Sequence, residues 1–171
     1  MGFGVADSFL ITNPGSTVTG LAFGAWLTPG DVLESAEVSI TEFPFSGISY
    51  FDQVVDFTAS GCFQNNHSFE VCTETGTFSG PTLNAGTYWM TLQNAVSAEG
   101  DPIYWDENDG VGCHSAGCPS DGSVGVGTIP SEAFSVLGTS GGGGTTPEPD
   151  SLLLFASGVV LSIVILRRKF L

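Results

Sequence analysis

Before Arg167 the sequence contains neither lysine nor arginine, and the whole chain sets three basic residues against 18 acidic ones, a formal net charge of −15. Nucleic-acid recognition needs clustered Lys and Arg, so nucleic acid is excluded as an electrostatic partner. Histidine is almost as scarce: only His67 and His114 offer conventional general bases near neutrality. There is no H-E-x-x-H pair and no phosphate-cradling loop. These absences argue against an enzyme. A secreted glycan hydrolase stays open only because two carboxylates suffice for that chemistry and their separation is not written in a sequence. The start, Met1-Gly2-Phe3-Gly4-Val5-Ala6-Asp7-Ser8-Phe9, has neither a basic n-region nor a useful apolar run.

What is present points to β-structure. Phe, Val, Thr, Ser and Gly are abundant and good helix formers few, and the frequent aromatic and β-branched residues separate the chain from a disordered acidic tail. From Thr17 to Leu27 the odd positions read Thr, Thr, Leu, Phe, Ala, Leu, the period-2 face of a strand, and Thr28-Pro29-Gly30-Asp31 closes the run with turn residues. The spacing predicts a hairpin there, with Val32, Ala36, Val38 and Ile40 forming the core face of the returning strand. Further strands are expected at 5–11, 50–59, 67–73, 76–80, 87–95, 102–106 and 131–137. Short strands with frequent turns predict an all-β, antiparallel sandwich or jelly roll over residues 1–137.

The four cysteines, Cys62, Cys72, Cys113 and Cys118, are even in number and suit disulfides in an oxidising compartment. Three connectivities are open; the expected one joins Cys62 to Cys72 across a hairpin through Asn65-Asn66-His67, and Cys113 to Cys118. Zinc is the competing reading, with His67 and His114 nearby, but the chain has no H-x3–5-H pair to complete a ligand set. Asp106-Glu107-Asn108-Asp109 concentrates oxygen ligands of the kind Ca²⁺ takes, although the EF-hand register fails at Val111 and acidic loops are commonly just solvated. Trp26, Trp89 and Trp105, with Tyr50, Tyr88 and Tyr104, could stack on sugar rings if they face outward, and Trp89 and Trp105 are the candidates to do so; strand aromatics more often face a core.

Residues 138–146 are a Gly-rich linker that offers nothing to bury. Pro147-Glu148-Pro149 follows, then residues 151–166, uncharged and mostly Leu, Val, Ile or Phe, then Arg167-Arg168-Lys169. As a helix, residues 151–166 reach about 24 Å, short of a hydrocarbon core of about 30 Å, but the basic stems beyond can snorkel to the interface. A buried core helix is the bland alternative. The terminal position and the one-sided basic flank favour a transmembrane helix with its tail in the cytoplasm and residues 1–150 outside. That orientation requires export, so the natural start is expected upstream of Met1.

Pro-Glu-Pro, an apolar helix and an Arg-rich end, in that order, resemble the PEP-CTERM sorting signal of Gram-negative bacteria, carried here by Pro147, Glu148, Pro149, residues 151–166, Arg167 and Arg168. Pro-Glu-Pro also acts as a stiff breaker that delays the helix start, and both roles can hold. The resemblance implies recognition by exosortase, a membrane-embedded cysteine transpeptidase-like enzyme, and delivery to the cell envelope or an exopolysaccharide matrix. Residues 86–95, 101–108 and 127–134, with Asp7-Ser8-Phe9 and Phe23-Gly24-Ala25-Trp26-Leu27, resemble a recurrent, largely uncharacterised ectodomain of such proteins, which implies a fold and an address but no chemistry. The expected role is structural or adhesive, with a carbohydrate-binding module as the first alternative. Because Arg167 is the first trypsin site, exhaustive digestion should return residues 1–167 as one piece by intact mass; an internal tryptic peptide would contradict this reading.

Overall fold

The computed structural model describes residues 4–106, 120–122 and 132–141. All of them belong to one unit, Met1–Gly141. The elements in chain order are β1 (Val5–Ile11), β2 (Ser16–Leu27), β3 (Leu33–Phe43), β4 (Ser46–Asp56), β5 (Thr58–Gln64), β6 (Glu70–Thr77), β7 (Thr82–Leu83), β8 (Gly86–Ser97), β9 (Tyr104–Trp105), β10 (Ser120–Gly122) and β11 (Phe134–Thr139). The described residues contain strands and no helix, as the abundance of β-branched and aromatic residues predicts.

Two antiparallel sheets result. One has the order β10-β1-β8-β3-β4, the other β11-β2-β6-β5 with β7 and β9 also on β2. β2 uses both of its edges: β6 lies along residues 20–27 and β7 beside its start, while β11 pairs with residues 17–23 and β9 with Ala25 and Trp26 on the opposite side. Its alternation is as expected from Leu21 onward, with Leu21, Phe23, Ala25 and Leu27 buried. Earlier the phase inverts, and Val18 and Gly20 are buried instead. The cause is a bulge: Leu137 pairs with Gly20 and Gly138 with Val18, leaving Thr19 as the extra residue.

The predicted hairpin at Thr28–Asp31 is a correction. β2 and β3 lie in different sheets, and the turn carries the chain across the core. Asp31 fixes the crossing by accepting hydrogen bonds at Oδ1 from the Val32 amide (2.8 Å) and the Glu99 amide (3.0 Å). Burial alone would raise its pKa, but the Glu99 amide, the Ser97 hydroxyl and the Val32 amide together hold it below 3.8. Val32 is half exposed and Leu33 takes the core position, because the pairing with β8 shifts register after Leu33. Ala36, Val38 and Ile40 face the core as expected. Other boundaries move too. The strand expected at 50–59 is β4, which ends at Asp56, so that Phe57 crosses to the second sheet; the segments expected at 67–73 and 76–80 are one strand, β6. The linker expected from residue 138 starts later, since Gly138 and Thr139 belong to β11 and the Gly141 amide donates to Ser16 Oγ.

The core lies between the sheets. Phe23 makes edge contacts with Phe57 (5.3 Å between ring centroids) and Trp105 (5.8 Å), and the β3 and β8 residues Val38, Ile40, Met90 and Leu92 close it from the other side. Full burial of each such side chain contributes about 1.5–3 kcal/mol. Gly76 is needed at the interface: a Cβ there would lie 2.7 Å from both Phe57 and Val55 side-chain atoms. Asp7 also joins the two sheets, its Oδ2 accepting the Glu132 amide at 2.7 Å just before β11.

Glu74 runs against the apolar pattern. It stands opposite Phe23 in the ladder, on the same core-facing side, with 0 % of its surface exposed. Among the described residues neither carboxylate oxygen finds a hydrogen-bond partner. Burial disfavours the charged form and pushes its pKa from 4.5 up to about 7. The folded state therefore holds a proton that the unfolded chain releases, so Glu74 contributes most to stability below pH 4.5 and loses that contribution as pH rises to about 7. By linkage the loss is on the order of 3 kcal/mol. Glu74→Gln should be flat over this window, so the wild-type-minus-variant difference in urea-unfolding free energy should fall by roughly that amount between pH 4.5 and pH 8.

Candidate functional site

The outward face of the second sheet carries a row of large apolar side chains that its ladder places in register. Phe63 on β5 pairs with Val71 on β6, Val71 with Trp26 on β2, and Trp26 with Tyr104 on β9. Paired residues share a face, and their chain neighbours Ala25, Cys72 and Trp105 point into the core, so the row lies on the outer face, where Val71 is itself covered by its neighbours. Phe63 is 61 % exposed and Tyr104 52 % exposed. At about 4.8 Å between strands, the row spans roughly 15 Å.

The β5–β6 hairpin adds two more rings. His67 stacks on Trp26 with 6.0 Å between centroids and 23° between planes, and Phe69 lies 5.7 Å from Trp26 and 6.1 Å from Tyr104. Asn65 holds this turn together: its Oδ1 accepts the amides of His67 (2.9 Å) and Phe69 (3.0 Å), while its own amide donates to the Phe69 carbonyl. Ser68 takes the left-handed conformation that lets the chain reverse, with φ of 67°.

A carboxylate adjoins the rings. Asp106 Oδ1 accepts the Trp26 indole N–H at 2.6 Å, which fixes the rotation of that ring. The Asp106 backbone continues the β9 pairing, its amide donating to the Gly24 carbonyl (2.8 Å) and its carbonyl accepting from the Ala133 amide (2.8 Å). Gly24 is required there, since a Cβ would meet Asp106 Cβ at 2.9 Å. Beside it a shallow depression of about 300 Å³ is lined by Ala22, Gly24, Thr73 and Ser135.

Cys62 and Cys72 form the expected disulfide. β5 is exposed along its whole length and among the described residues pairs only with β6, so this bond pins an edge strand. The loop it closes carries Phe63, Asn65, His67, Phe69 and Val71, so the cross-link organises the same rings that form the site. Chain entropy for a loop of this length corresponds to about 2–3 kcal/mol. Glu70 lies within ligand distance of both sulfurs, but a disulfide provides no thiolate to hold a metal.

The other expected site residues are dispersed. Trp105 is a correction: it is buried, packs on Phe23 and Phe134, and donates its indole N–H to the Ala133 carbonyl at 3.2 Å. It belongs to the core because Ala25, its ladder partner, lies on the inner face. Trp89 is half buried on the other sheet, paired with Ser8 and Thr41, and shares no surface with Trp105. Of the oxygen-rich loop, Asp106 serves the Trp26 indole, and Glu107, Asn108 and Asp109 lie outside the described residues. Cys113, Cys118, Pro147, Glu148, Pro149, the helix expected at 151–166, Arg167 and Arg168 also lie outside them. Trp26, Tyr104, Phe63, Phe69 and His67 were not singled out together by the sequence, although Trp26 at an even position of an odd-faced strand was a readable sign of an outward ring.

Replacing Gly24 by Ala should displace Asp106 and break its bond to the indole, so the Trp26 Nε1–H resonance in a ¹H–¹⁵N spectrum should shift in Gly24→Ala as it does in Asp106→Ala. An unmoved indole resonance in both variants would show that the two groups are not bonded. No family model matches the chain, and no curated protein and no solved structure matches it.

Proposed function

We propose that this protein is an exported component of a Gram-negative cell envelope or exopolysaccharide matrix, anchored through residues 151–166 and sorted by exosortase through a PEP-CTERM signal, with a structural or adhesive role rather than a catalytic one. The observation that carries this reading is the order of its C-terminal residues: Pro147-Glu148-Pro149, an uncharged apolar stretch, then Arg167-Arg168-Lys169 after 166 residues without a lysine or arginine. Basic flanks stay on the cytoplasmic side of a bilayer, so the acidic part of the chain is the part displayed.

Two further features support it. The Cys62–Cys72 disulfide belongs to oxidising compartments. The acidic surface repels phosphate and suits a protein displayed outside the cell rather than one handling nucleotides or nucleic acid. A role as a carbohydrate-binding module is the second reading, favoured by the ring-lined face of the second sheet.

The test is the non-reduced intact mass of the native protein isolated from its envelope. Loss of the segment after Pro147-Glu148-Pro149 is the expected outcome, together with a deficit of about four hydrogens for two disulfides. A surface-displayed form that still ends at Leu171 would remove exosortase from the account and leave a permanent anchor.

A further inference from the structure

We infer that the outward face of the second sheet is a binding site for a neutral glycan chain, with the exposed Phe63 and Tyr104 as the stacking rings, Trp26 as the His67-covered ring that anchors the hairpin between them, and Asp106 as the polar contact. This deepens the adhesive reading above and rests on it for the setting in which a glycan is met, whereas binding itself is measured without reference to sorting.

Three observations on this face converge on that ligand class. Three rings lie in one ladder row, on β5, β2 and β9, with the buried Val71 of β6 between Phe63 and Trp26, so they form an open strip rather than a closed pocket, a shape suited to an extended polymer and not to an enclosed small molecule. The face of a pyranose ring presents C–H groups carrying partial positive charge, which pack on the negative face of an aromatic ring. A strip of roughly 15 Å gives room for a short run of sugar units instead of one.

Polar recognition is placed at the edge of the strip. Asp106 Oδ1 is occupied by the Trp26 indole, and Oδ2 lies over Gly24, where the missing side chain leaves the depression open beside Thr73 and Ser135. A carboxylate and two hydroxyls next to stacked rings offer both acceptors and donors to sugar hydroxyls. Charge then selects among glycans. The chain has no lysine or arginine before Arg167 to set against a uronate, sulfate or phosphate group, and an anionic polysaccharide would meet the carboxylates of Asp106 and Glu70. The occupant is therefore an uncharged polysaccharide. The Cys62–Cys72 bond and the Asn65 turn hold Phe63, His67 and Phe69 in place before any ligand arrives, which lowers the ordering cost of binding.

The experiment is a calorimetric titration of the full chain, held in a zwitterionic detergent without a sugar headgroup, against laminarihexaose, cellohexaose and maltohexaose, with hexagalacturonate as the anionic probe. Saturable binding to at least one neutral hexasaccharide is expected, with hexagalacturonate weaker by about ten-fold or more. Tyr104→Ser and Phe63→Ser should each weaken binding by about five-fold or more, as loss of a stacking ring would. Both positions are exposed, so these variants keep their fold, to be checked by thermal melting. Trp89→Ala, on the other sheet, should leave the affinity unchanged. The inference is overturned if none of the three neutral probes binds, if Tyr104→Ser and Phe63→Ser bind as tightly as the wild type, or if hexagalacturonate binds as well as the neutral probes. A concentration-dependent dimer that Tyr104→Ser dissociates, without any glycan response, would assign the face to a second copy of the chain and overturn it as well. Because no step depends on the C-terminal signal, a failure here leaves the sorting reading standing, and a failure of sorting leaves this one.

Discussion

The ladder around β2 is the constraint on which the described structure depends. A single 12-residue strand supplies hydrogen-bonding edges to β6 and β7 on one side and to β9 and β11 on the other, so four segments distant in sequence take their register from it. The inward residues of β2 build the core around Phe23, and its outward residue Trp26 anchors the exposed rings. Core and site are thus two faces of one strand. A slip of one residue would exchange them, placing Trp26 inside and Phe23 in water. The bulge at Thr19 shows how the phase is adjusted: the strand can bury Val18 at one end and Leu21 at the other because one residue is left out of the β11 pairing.

Much of the all-β character was legible because alternation is a local property. Leu21 to Leu27 and Ala36 to Ile40 announce their inner faces without reference to anything distant. Sheet membership was not legible. Thr28-Pro29-Gly30-Asp31 has the composition of a hairpin turn, and composition does not say whether the chain folds back beside β2 or crosses to the facing sheet. That choice is made by Asp31 bonding the amide of Glu99, 68 positions away. Glu74 was hidden for a related reason. Thr73-Glu74-Thr75-Gly76 looks like a break between two strands, whereas Gly76 is there to admit Val55 and Phe57 against the sheet, and the strand runs through.

The site was partly legible. The Cys62–Cys72 pair and its turn could be read from spacing, since a hairpin of that length brings its ends together. The rings could not be grouped, because Phe63, Trp26 and Tyr104 meet only through the strand order β5-β6-β2-β9, which is a tertiary fact. Trp105 was read as exposed when its neighbour Tyr104 is the exposed one. On a strand two residues long, periodicity has too few positions to declare its phase, and the pairing of Trp105 with Ala25 decides it. The acid at Asp106 had a visible signal but a different use, as an acceptor for the Trp26 indole.

The loop closed by Cys62 and Cys72 gives the outward rings a redox dependence as well as a geometry. β5 is an edge strand exposed on every residue, and without its cross-link it has, among the described residues, only the β6 ladder to hold it. In a reducing compartment the thiols stay apart, and the segment bearing Phe63, His67 and Phe69 is free to fray. The cross-link thus divides the face in two: Trp26 and Tyr104 are held by the β2 ladder and the Asp106 carboxylate whatever the redox state, whereas Phe63, His67 and Phe69 depend on the bond as well.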